Sequence, residues 1–210
     1  MTRTAAPEQI VYVVDDDEAM RDSAAWLLES RGFRVRTFES AEAFLEIYGP
    51  ALSGCLVLDV RMPGMSGLEL FDKLRQTAGR TPLIPVIFVT GHGDVPMAVG
   101  ALKQGAADFI EKPFNDNELV RLVEQCLARE CEQRARHHIV LDDMRRLESL
   151  TEREKEVMRL IVAGRLNKQI ADDLGISIKT VEVHRARVME KMDVRAVAEL
   201  VQAVMRGGFR

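Results

Sequence analysis

Side chains suited to binding a cation and transferring a phosphoryl group recur at the ends of strand-like runs in the first part of the chain. They are three consecutive carboxylates, a separate carboxylate, a hydroxyl and an ammonium: Asp15, Asp16 and Asp17, then Asp59, Thr90 and Lys112. Clustered carboxylates repel one another and so predict a hard divalent cation with oxygen ligands. A Mg²⁺ ion, which keeps several waters, would leave room for a phosphoryl group. One carboxylate would then be the nucleophile, and the ammonium and hydroxyl would stabilise the transferring oxygens.

The elements that must bring these side chains together alternate along the chain. Short apolar runs predict strands over Ile10–Val14, Arg34–Phe38, Cys55–Leu58, Val86–Val89 and Asp108–Ile110. Helical spacing predicts helices over Ala19–Ser30, Ala41–Ile47, Gly67–Gln76 and Val95–Lys103, and a long one from near Asp116. This order predicts an α/β fold with a five-stranded parallel sheet that has helices on both faces. Such sheets bind ligands beyond the carboxyl ends of their strands, where we expect the six side chains to meet.

In the last part of the chain, from Leu150, the sequence pattern predicts four short helices. Capping residues mark their ends: a Thr151–Glu154 capping box and Gly164 for the first, Asn167 and Gly175 for the second, and Ser177 for the third, from Ile178 to about Met192. The fourth is expected over Arg195–Arg206. The second and third helices are joined by the short turn LGIS, which indicates a helix-turn-helix.

The stretch from Asn117 to Leu150 connects the two parts. It has apolar residues at helical spacing, and its middle, ARECEQRARHH, is highly charged. We expect the last helix of the α/β part to continue into a solvated helical linker. A short coiled coil would also fit this pattern. The alternative is a flexible charged linker.

Composition narrows the class of protein. The 210 residues carry a net charge of −4 and are 47% hydrophobic, as is typical of a globular chain. From residue 147 onward Lys and Arg outnumber Asp and Glu by 12 to 10, whereas before it they are outnumbered by 17 to 23, which suits a regulatory module joined to a polyanion-binding one. An apolar run of about 18 residues and a signal segment are both absent, so we expect no membrane contact and a cytoplasmic location. Cys55, Cys126 and Cys131 lack metal-ligand spacing and predict no disulfide framework.

Four segments of the first part resemble the signature segments of the response-regulator receiver domain, and of its FixJ group in particular. They are VVDDDEAMRDS, LDVRMPGMSGLEL, VTGHGD and DFIEKPF. The resemblance implies a flavodoxin-like fold with Asp59 as phosphoacceptor and a Mg²⁺ (or Mn²⁺) ion. Its ligands would be Asp16, Asp59 and the backbone carbonyl of Arg61, with Asp15 assisting. Asp17 stands where the family varies and is not expected to be a ligand.

The same resemblance implies a switch pair and a phosphoryl-binding lysine. In the switch, the Thr90 hydroxyl would move to the phosphoryl group and the Phe109 ring would turn inward. Lys112 would hold the phosphoryl group, and the Lys112–Pro113 bond resembles the family's cis peptide.

The third helix of the last part is the expected recognition helix, with Ile178, Val181, Val188 and Met192 placed inward. Its sequence and those of its neighbours, LTEREKEVMRLIVAG, NKQIADDLGIS and TVEVHRARVMEKM, resemble the LuxR-type helix-turn-helix. The expected DNA contacts are Lys168, Lys179, Thr180, Glu182, Val183, Arg185, Arg187 and Lys191. The resemblance implies dimerisation through the fourth helix, with Val197, Leu200, Val201 and Val204 as candidates.

Together the two parts resemble a FixJ/NarL-class response regulator, which implies a receiver domain over residues 8–128, a helical linker over 129–147 and a DNA-binding domain over 148–210. A sensor histidine kinase would phosphorylate Asp59. Phosphorylation would control formation of a homodimer and sequence-specific binding to double-stranded promoter DNA, with RNA polymerase as a further expected partner. We expect a transcription factor and not an enzyme, since the receiver would catalyse only its own phosphoryl transfer and dephosphorylation.

Two other functions fit the sequence less well. A DNA-binding regulator with a receiver that responds to something other than phosphate would usually lack one of the five residues Asp15, Asp16, Asp59, Thr90 and Lys112, all of which are present. A true enzyme is disfavoured as well. An aspartyl-phosphate phosphatase would have a second Asp where Arg61 stands, and a dinucleotide enzyme would have a Gly-rich turn after the first strand.

Overall fold

The structure, a computed structural model, describes residues 8–78, 83–91 and 95–208. Two compact units divide between Arg134 and Ala135. The first contains the strands and helices β1 Ile10–Val14, α1 Glu18–Ser30, β2 Val35–Phe38, α2 Ala41–Ile47, β3 Gly54–Asp59, α3 Gly67–Ala78, β4 Val86–Thr90, α4 Val95–Lys103, β5 Asp108–Glu111 and the start of α5 Asp116–Glu148. The second contains α6 Glu152–Val162, α7 Asn167–Leu174, α8 Ile178–Lys191 and α9 Val197–Arg206.

The five strands form one parallel sheet in the order β2-β1-β3-β4-β5, which confirms the predicted fold class. Strand β3 lies at its centre, and every residue of that strand is buried, because helices cover both faces of the sheet. Side chains that alternate along the strands divide into two apolar clusters, one on each face. One cluster includes Val57 and packs with α1 and α5, and the other includes Leu56 and packs with α2 and α3.

Local capping explains where the helices of the first unit begin and end. The side chain of Asp17 accepts from the backbone N–H groups of Ala19 and Met20, so α1 begins one residue earlier than predicted. Ser40 caps α2 by accepting from the N–H of Ala43. Gly32 follows α1 with a φ of +87°, the left-handed conformation that favours glycine after a helix.

Helix α5 is one continuous helix of 33 residues. It includes residues 129–147, the stretch for which a helical linker was predicted. The first turns of α5 pack on the sheet through residues such as Leu119 and Val123, and Leu147 near its end lies in the apolar core of the second unit. No helix among the described residues has both the length and the apolar character that a membrane span requires.

The second unit forms from α6 to α9 around one apolar core. The predicted capping box of Thr151 and Glu154 is confirmed, as are the Ser177 cap and the left-handed Gly175. Two predicted boundaries were wrong. Asn167 is the first helical residue of α7 and its cap is Leu166, because Gln169 Oε1 accepts from the N–H of Leu166 at 2.9 Å.

The fourth helix begins at Val197 and not at Arg195. The Glu199 carboxylate accepts from the N–H groups of both Arg195 and Ala196, which makes these two residues the cap that precedes α9.

The inward placement of Ile178 in α8 was also wrong. This side chain is 46% exposed at the first position of α8, whereas Val181, Val188 and Met192 are buried as predicted.

Candidate functional site

Three carboxylates meet at the carboxyl edge of the sheet. Asp15 directly follows β1 and Asp59 is the last residue of β3, and these two strands are neighbours. Both side chains are buried, whereas Asp16 is exposed. One carboxylate oxygen from each of the three residues lies within 4.8 Å of the others. The strand order therefore brings together Asp15, Asp16 and Asp59, although more than forty residues separate the first two from the third.

Lys112 reaches this cluster from the end of β5. Its Nζ donates to Oδ2 of Asp15 at 2.7 Å and lies 2.8 Å from Oδ1 of Asp59. The Lys112–Pro113 peptide bond is cis, as the resemblance implied. Lys112 N donates to the carbonyl of Thr90 at 2.7 Å, which ties the backbone after β5 to the end of β4.

Burial and charge act in opposite directions on the ionisation of these groups. Burial raises the pKa of Asp59 above its ordinary value, although the hydrogen bond from Lys112 lowers it. For Lys112, burial lowers the pKa, but the carboxylates of Asp15 and Asp59 outweigh this and raise it. The ammonium form of Lys112 is therefore stabilised by the two carboxylates it contacts, and it offsets part of their mutual repulsion.

The three carboxylates suit a hard divalent cation, because oxygen is the ligand that Mg²⁺ and Mn²⁺ prefer. Asp59 also accepts a hydrogen bond at Oδ2 from the N–H of Arg61 at 3.1 Å, so the backbone of Arg61 lies against the site. Asp17 is occupied as the cap of α1.

Two residues that shape the site were missed by sequence reasoning. Arg21 in α1 donates from Nη1 to the backbone carbonyls of Asp15 and Asp16, at 2.7 and 3.0 Å, and so holds the turn that carries both carboxylates. At Gly67 a Cβ atom would lie 2.1 Å from the carbonyl oxygen of Asp59. The only sequence signal for Arg21 is its place one turn into α1, which is shared by many surface arginines.

Thr90 and Phe109, the predicted switch pair, lie on the adjacent strands β4 and β5. Thr90 is fully buried and its hydroxyl donates to the carbonyl of Gly91 at 3.0 Å. The Phe109 ring is half-buried against the apolar cluster on the α3 side of the sheet. Residues 92–94 of the VTGHGD segment lie outside the described residues.

The predicted DNA contacts of the second unit divide into two groups. Those exposed near the start of α7 and along α8 are Lys168, Lys179, Thr180, Glu182, Val183 and Arg187. Arg185 is half-buried, and its Nη1 donates to Oδ1 of Asn167 at 3.4 Å, which links α8 to α7. Lys191 lies apart from the first group, because its Nζ donates to the buried Glu154 at 2.7 Å and to the carbonyl of Ser149. It therefore forms an ion pair within the unit.

The predicted dimerisation residues also divide. Leu200 and Val204 are buried in the core of the second unit, so the prediction that they face a partner was wrong. The apolar stripe of α9 that carries these two residues covers the core of its own unit. Val197 is half-buried against the same core, and Val201 is half-buried. The outward stripe of α9 comprises Ala198, Val201, Gln202 and Met205.

Comparison with known proteins gives the same two parts. The family profile described as "Response regulator receiver domain" matches residues 11–124. A second profile, described as "Bacterial regulatory proteins, luxR family", matches residues 148–204.

Proteins similar over nearly the whole length include the transcriptional regulatory protein FixJ of Bradyrhizobium diazoefficiens. It is 48% identical over 201 residues, which cover 95% of this chain and 96% of that protein. The response regulator protein TmoT of Ectopseudomonas mendocina is 43% identical, with 95% and 89% covered. Among solved structures, the response regulator StyR has a TM-score of 0.86 and 44% identity, with 95% of this chain and 99% of that chain covered. Full-length FixJ from B. japonicum has a TM-score of 0.57 and 43% identity, with 98% and 100% covered.

Proposed function

The chain belongs to the response regulators that join a receiver domain to a LuxR-type DNA-binding domain, and on this premise we propose that Asp59 accepts the phosphoryl group that controls it. Members of this class regulate transcription under the control of phosphorylation, with a histidine kinase and DNA as partners, and this chain does so too. The observation that carries the assignment of Asp59 is its place between Lys112 and the carboxylates of Asp15 and Asp16 at one edge of the sheet.

The proposed reaction is a displacement at phosphorus. A carboxylate oxygen of Asp59 attacks the phosphorus of a phosphohistidine on the kinase, the P–N bond breaks, and an acyl phosphate forms. The Lys112 ammonium, 2.8 Å from Oδ1, stabilises the charge on the phosphoryl oxygens. Asp15, Asp16, Asp59 and the backbone carbonyl of Arg61 would hold Mg²⁺ (or Mn²⁺), which supplies further positive charge when bound. The receiver would also dephosphorylate itself, by attack of water on the same phosphorus.

The proposed output begins at Thr90. Its hydroxyl, which donates to the Gly91 carbonyl, would turn to a phosphoryl oxygen on Asp59, and the Phe109 ring would move inward. This rearrangement is a shift of population toward an active state in which the chain forms a homodimer and binds promoter DNA more tightly. A contact with RNA polymerase and a cytoplasmic location remain predictions.

The exposed side chains of α8 are the proposed DNA-reading surface. Lys179 and Arg187 can bond guanine or phosphate, Glu182 can accept from cytosine, and Val183 can contact a thymine methyl. These side chains are exposed on one helix, with Lys168 on the preceding helix, which supports the assignment. Thr180 and Arg185 are proposed as further contacts. Lys191 is left out, because it is paired with Glu154.

The test compares wild type with Asp59→Asn in Mg²⁺, with and without acetyl phosphate. Phosphate incorporation, mass by light scattering and promoter affinity are measured together. We expect one phosphate per chain, dimer formation and tighter DNA binding in wild type alone. If both proteins bind DNA equally and neither takes up phosphate, the receiver responds to another signal and the proposal is overturned.

A further inference from the structure

A polar cluster lies at the amino edge of the sheet, opposite the edge that carries Asp59. The buried carboxylate of Glu130, in α5, accepts from Gln9 Nε2 at 2.7 Å, from Ser53 Oγ at 3.0 Å and from Arg134 Nε at 2.7 Å. Arg134 also donates to the carbonyl of Leu52. We call the four residues Gln9, Ser53, Glu130 and Arg134 the α5 anchor. It joins three segments of the first unit that are distant in sequence.

The backbone is built to bring the two loop residues of the anchor together. Gln9 directly precedes β1 and Ser53 directly precedes β3, and the N–H of Ile10 donates to the Ser53 carbonyl at 3.0 Å. Gly54 has a φ of +133°, and a Cβ there would lie 1.7 Å from the carbonyl oxygen of Ile10. Only glycine permits this close approach. The backbone alone therefore holds Gln9 close to Ser53, independently of α5.

The anchor stands where the inward stripe of α5 changes from apolar to polar. Cys126 is the last buried apolar residue of α5 in the first unit, and one turn later the buried residue is Glu130, only 5% exposed. A buried carboxylate destabilises a fold unless its oxygens are hydrogen-bonded, and a well-packed apolar residue would usually serve stability equally well. The directional bonds of Glu130 define the rotation of α5 about its axis, which apolar packing defines less sharply.

Helix α5 does not end at the anchor. It continues to Glu148, and its last turns are held in the second unit by Leu147 in the core and by Asp143, whose Oδ2 accepts from Arg206 Nε at 2.8 Å. The same helix is thus bonded through a buried carboxylate at Glu130 in one unit and at Asp143 in the other.

We propose that Glu130 is a positioning residue for signal transmission: the α5 anchor sets the rotation and register of α5, and phosphorylation of the receiver reaches the DNA-binding domain through the helix so held. This inference rests on the proposed function of the acidic site. The anchor lies at the other edge of the sheet from that site, so removing it should leave the phosphorylation reaction intact while weakening its effect on DNA.

The experiment uses the full chain and Glu130→Gln, with Glu124→Gln as the matched control on an exposed position of the same helix. Gln has one acceptor oxygen and places an amide donor against the donors of the anchor, so at least one of them is left unpaired. Three quantities are measured: the rate of phosphate uptake from acetyl phosphate, promoter affinity with and without the phosphodonor, and hydrogen exchange of the amides from Leu127 to Arg134.

In E130Q we expect wild-type phosphate uptake, faster exchange over Leu127–Arg134, and a loss of about two- to thirtyfold in the tightening of DNA binding that phosphorylation produces. E124Q should match wild type in all three. Unchanged tightening in E130Q would overturn the proposal. If wild type itself takes up no phosphate, the proposed function fails instead, which is a distinguishable result.

A second variant separates positioning from stability. In the double variant E130M/R134M the ion pair is replaced by apolar side chains of similar length, a change that usually preserves folding. We expect a folded protein with phosphate uptake intact and the same reduced tightening. A double variant that folds and retains full tightening would overturn the proposal, even where E130Q alone does not fold.

Discussion

The Nζ atom of Lys112 lies 2.8 Å from Oδ1 of Asp59. Asp59 is the last residue of β3 and Lys112 directly follows β5, and these two strands are separated in the sheet by β4. Lys112 crosses the end of β4 to reach Asp59, and its backbone N–H is bonded to the Thr90 carbonyl on the way. The ammonium is therefore held beside the proposed phosphoacceptor and not merely attracted to it.

Replacing Lys112 by Ala should slow phosphorylation of Asp59. The substitution removes the positive charge nearest to the carboxylate, and loss of one group that stabilises transition-state charge slows such reactions about 10²- to 10³-fold. The rate of acyl-phosphate formation from acetyl phosphate in Mg²⁺ measures the effect. Lys103→Ala, on the exposed end of α4, is the control and should react as wild type does. Equal rates for all three proteins would exclude a role for Lys112 in the transfer.

Replacing Gly67 by Ala should displace the loop that follows Asp59. The added Cβ would lie 2.1 Å from the Asp59 carbonyl oxygen, a distance that requires the backbone to move, and overpacking of this kind costs about 1–3 kcal/mol. Urea unfolding followed by the fluorescence of Trp26, the single Trp of the chain, measures it. Gly100→Ala in α4 meets no atom within 4 Å and should be neutral or stabilising, by up to about 1 kcal/mol. A Gly67→Ala protein as stable as wild type would show that the loop adjusts freely.

The second unit should lose stability in acid through Glu154. Burial raises the pKa of Glu154, but its bonds to Lys191 and to the Thr151 cap outweigh this and lower it below its ordinary value. The stability that ionised Glu154 adds to the second unit is fully present above the pKa of Glu in the unfolded chain, about 4.3. It is lost as the pH falls through the lower pKa of Glu154 in the folded protein. Amide signals of α6 and α8 during urea titrations at about pH 6 and about pH 3 measure it. The decrease in the free energy of unfolding between about pH 6 and about pH 3 should be smaller in Glu154→Gln than in wild type. It should be unchanged in Glu190→Gln, a control at an exposed position.

Lys179 and Lys191 should behave differently toward DNA, although both are lysines of α8. Lys179→Ala removes an exposed charge and should weaken promoter binding and lower the salt dependence of log K by about 1 if it contacts phosphate. Lys191→Ala should instead destabilise the second unit, because it leaves the buried Glu154 without its ion pair. Affinity over a salt series and urea unfolding distinguish the two. An equal change in the salt dependence of both variants would show that Lys191 contacts DNA as Lys179 does.

Dimerisation through α9 should depend on Met205 and not on the core residue Leu200. Met205 is 74% exposed on the outward stripe of α9, where Met205→Glu would place like charges across a symmetric interface. We expect a dimer weakened by at least about tenfold and a folded monomer. Leu200→Glu should unfold the second unit, since it buries a carboxylate in the core. Light scattering and circular dichroism give both results. A Met205→Glu protein that dimerises normally would move the interface to another surface.

Much of the fold and of the acidic site was predictable from the sequence. Alternating strands and helices predicted the parallel sheet, and parallel strands bring their carboxyl ends to one edge whatever their spacing in the chain. Asp15, Asp59 and Lys112 each stand at such an end, so their meeting follows from strand position alone. Caps such as Ser40 and Ser177 were equally predictable, because their hydrogen bonds are made within one turn.

Only the tertiary structure decided which partner each side chain has. Sequence reasoning supplied candidates on α9 for a partner surface, but that Leu200 faces its own core while Met205 faces solvent depends on where this helix packs. The same holds for Lys191, paired with Glu154, and for Glu130, buried by residues that precede two strands. The physical reason is the distance along the chain between the residues that determine each feature. Strand ends and caps are determined by neighbouring residues, whereas burial and ion pairing are determined by whichever distant segment packs against them.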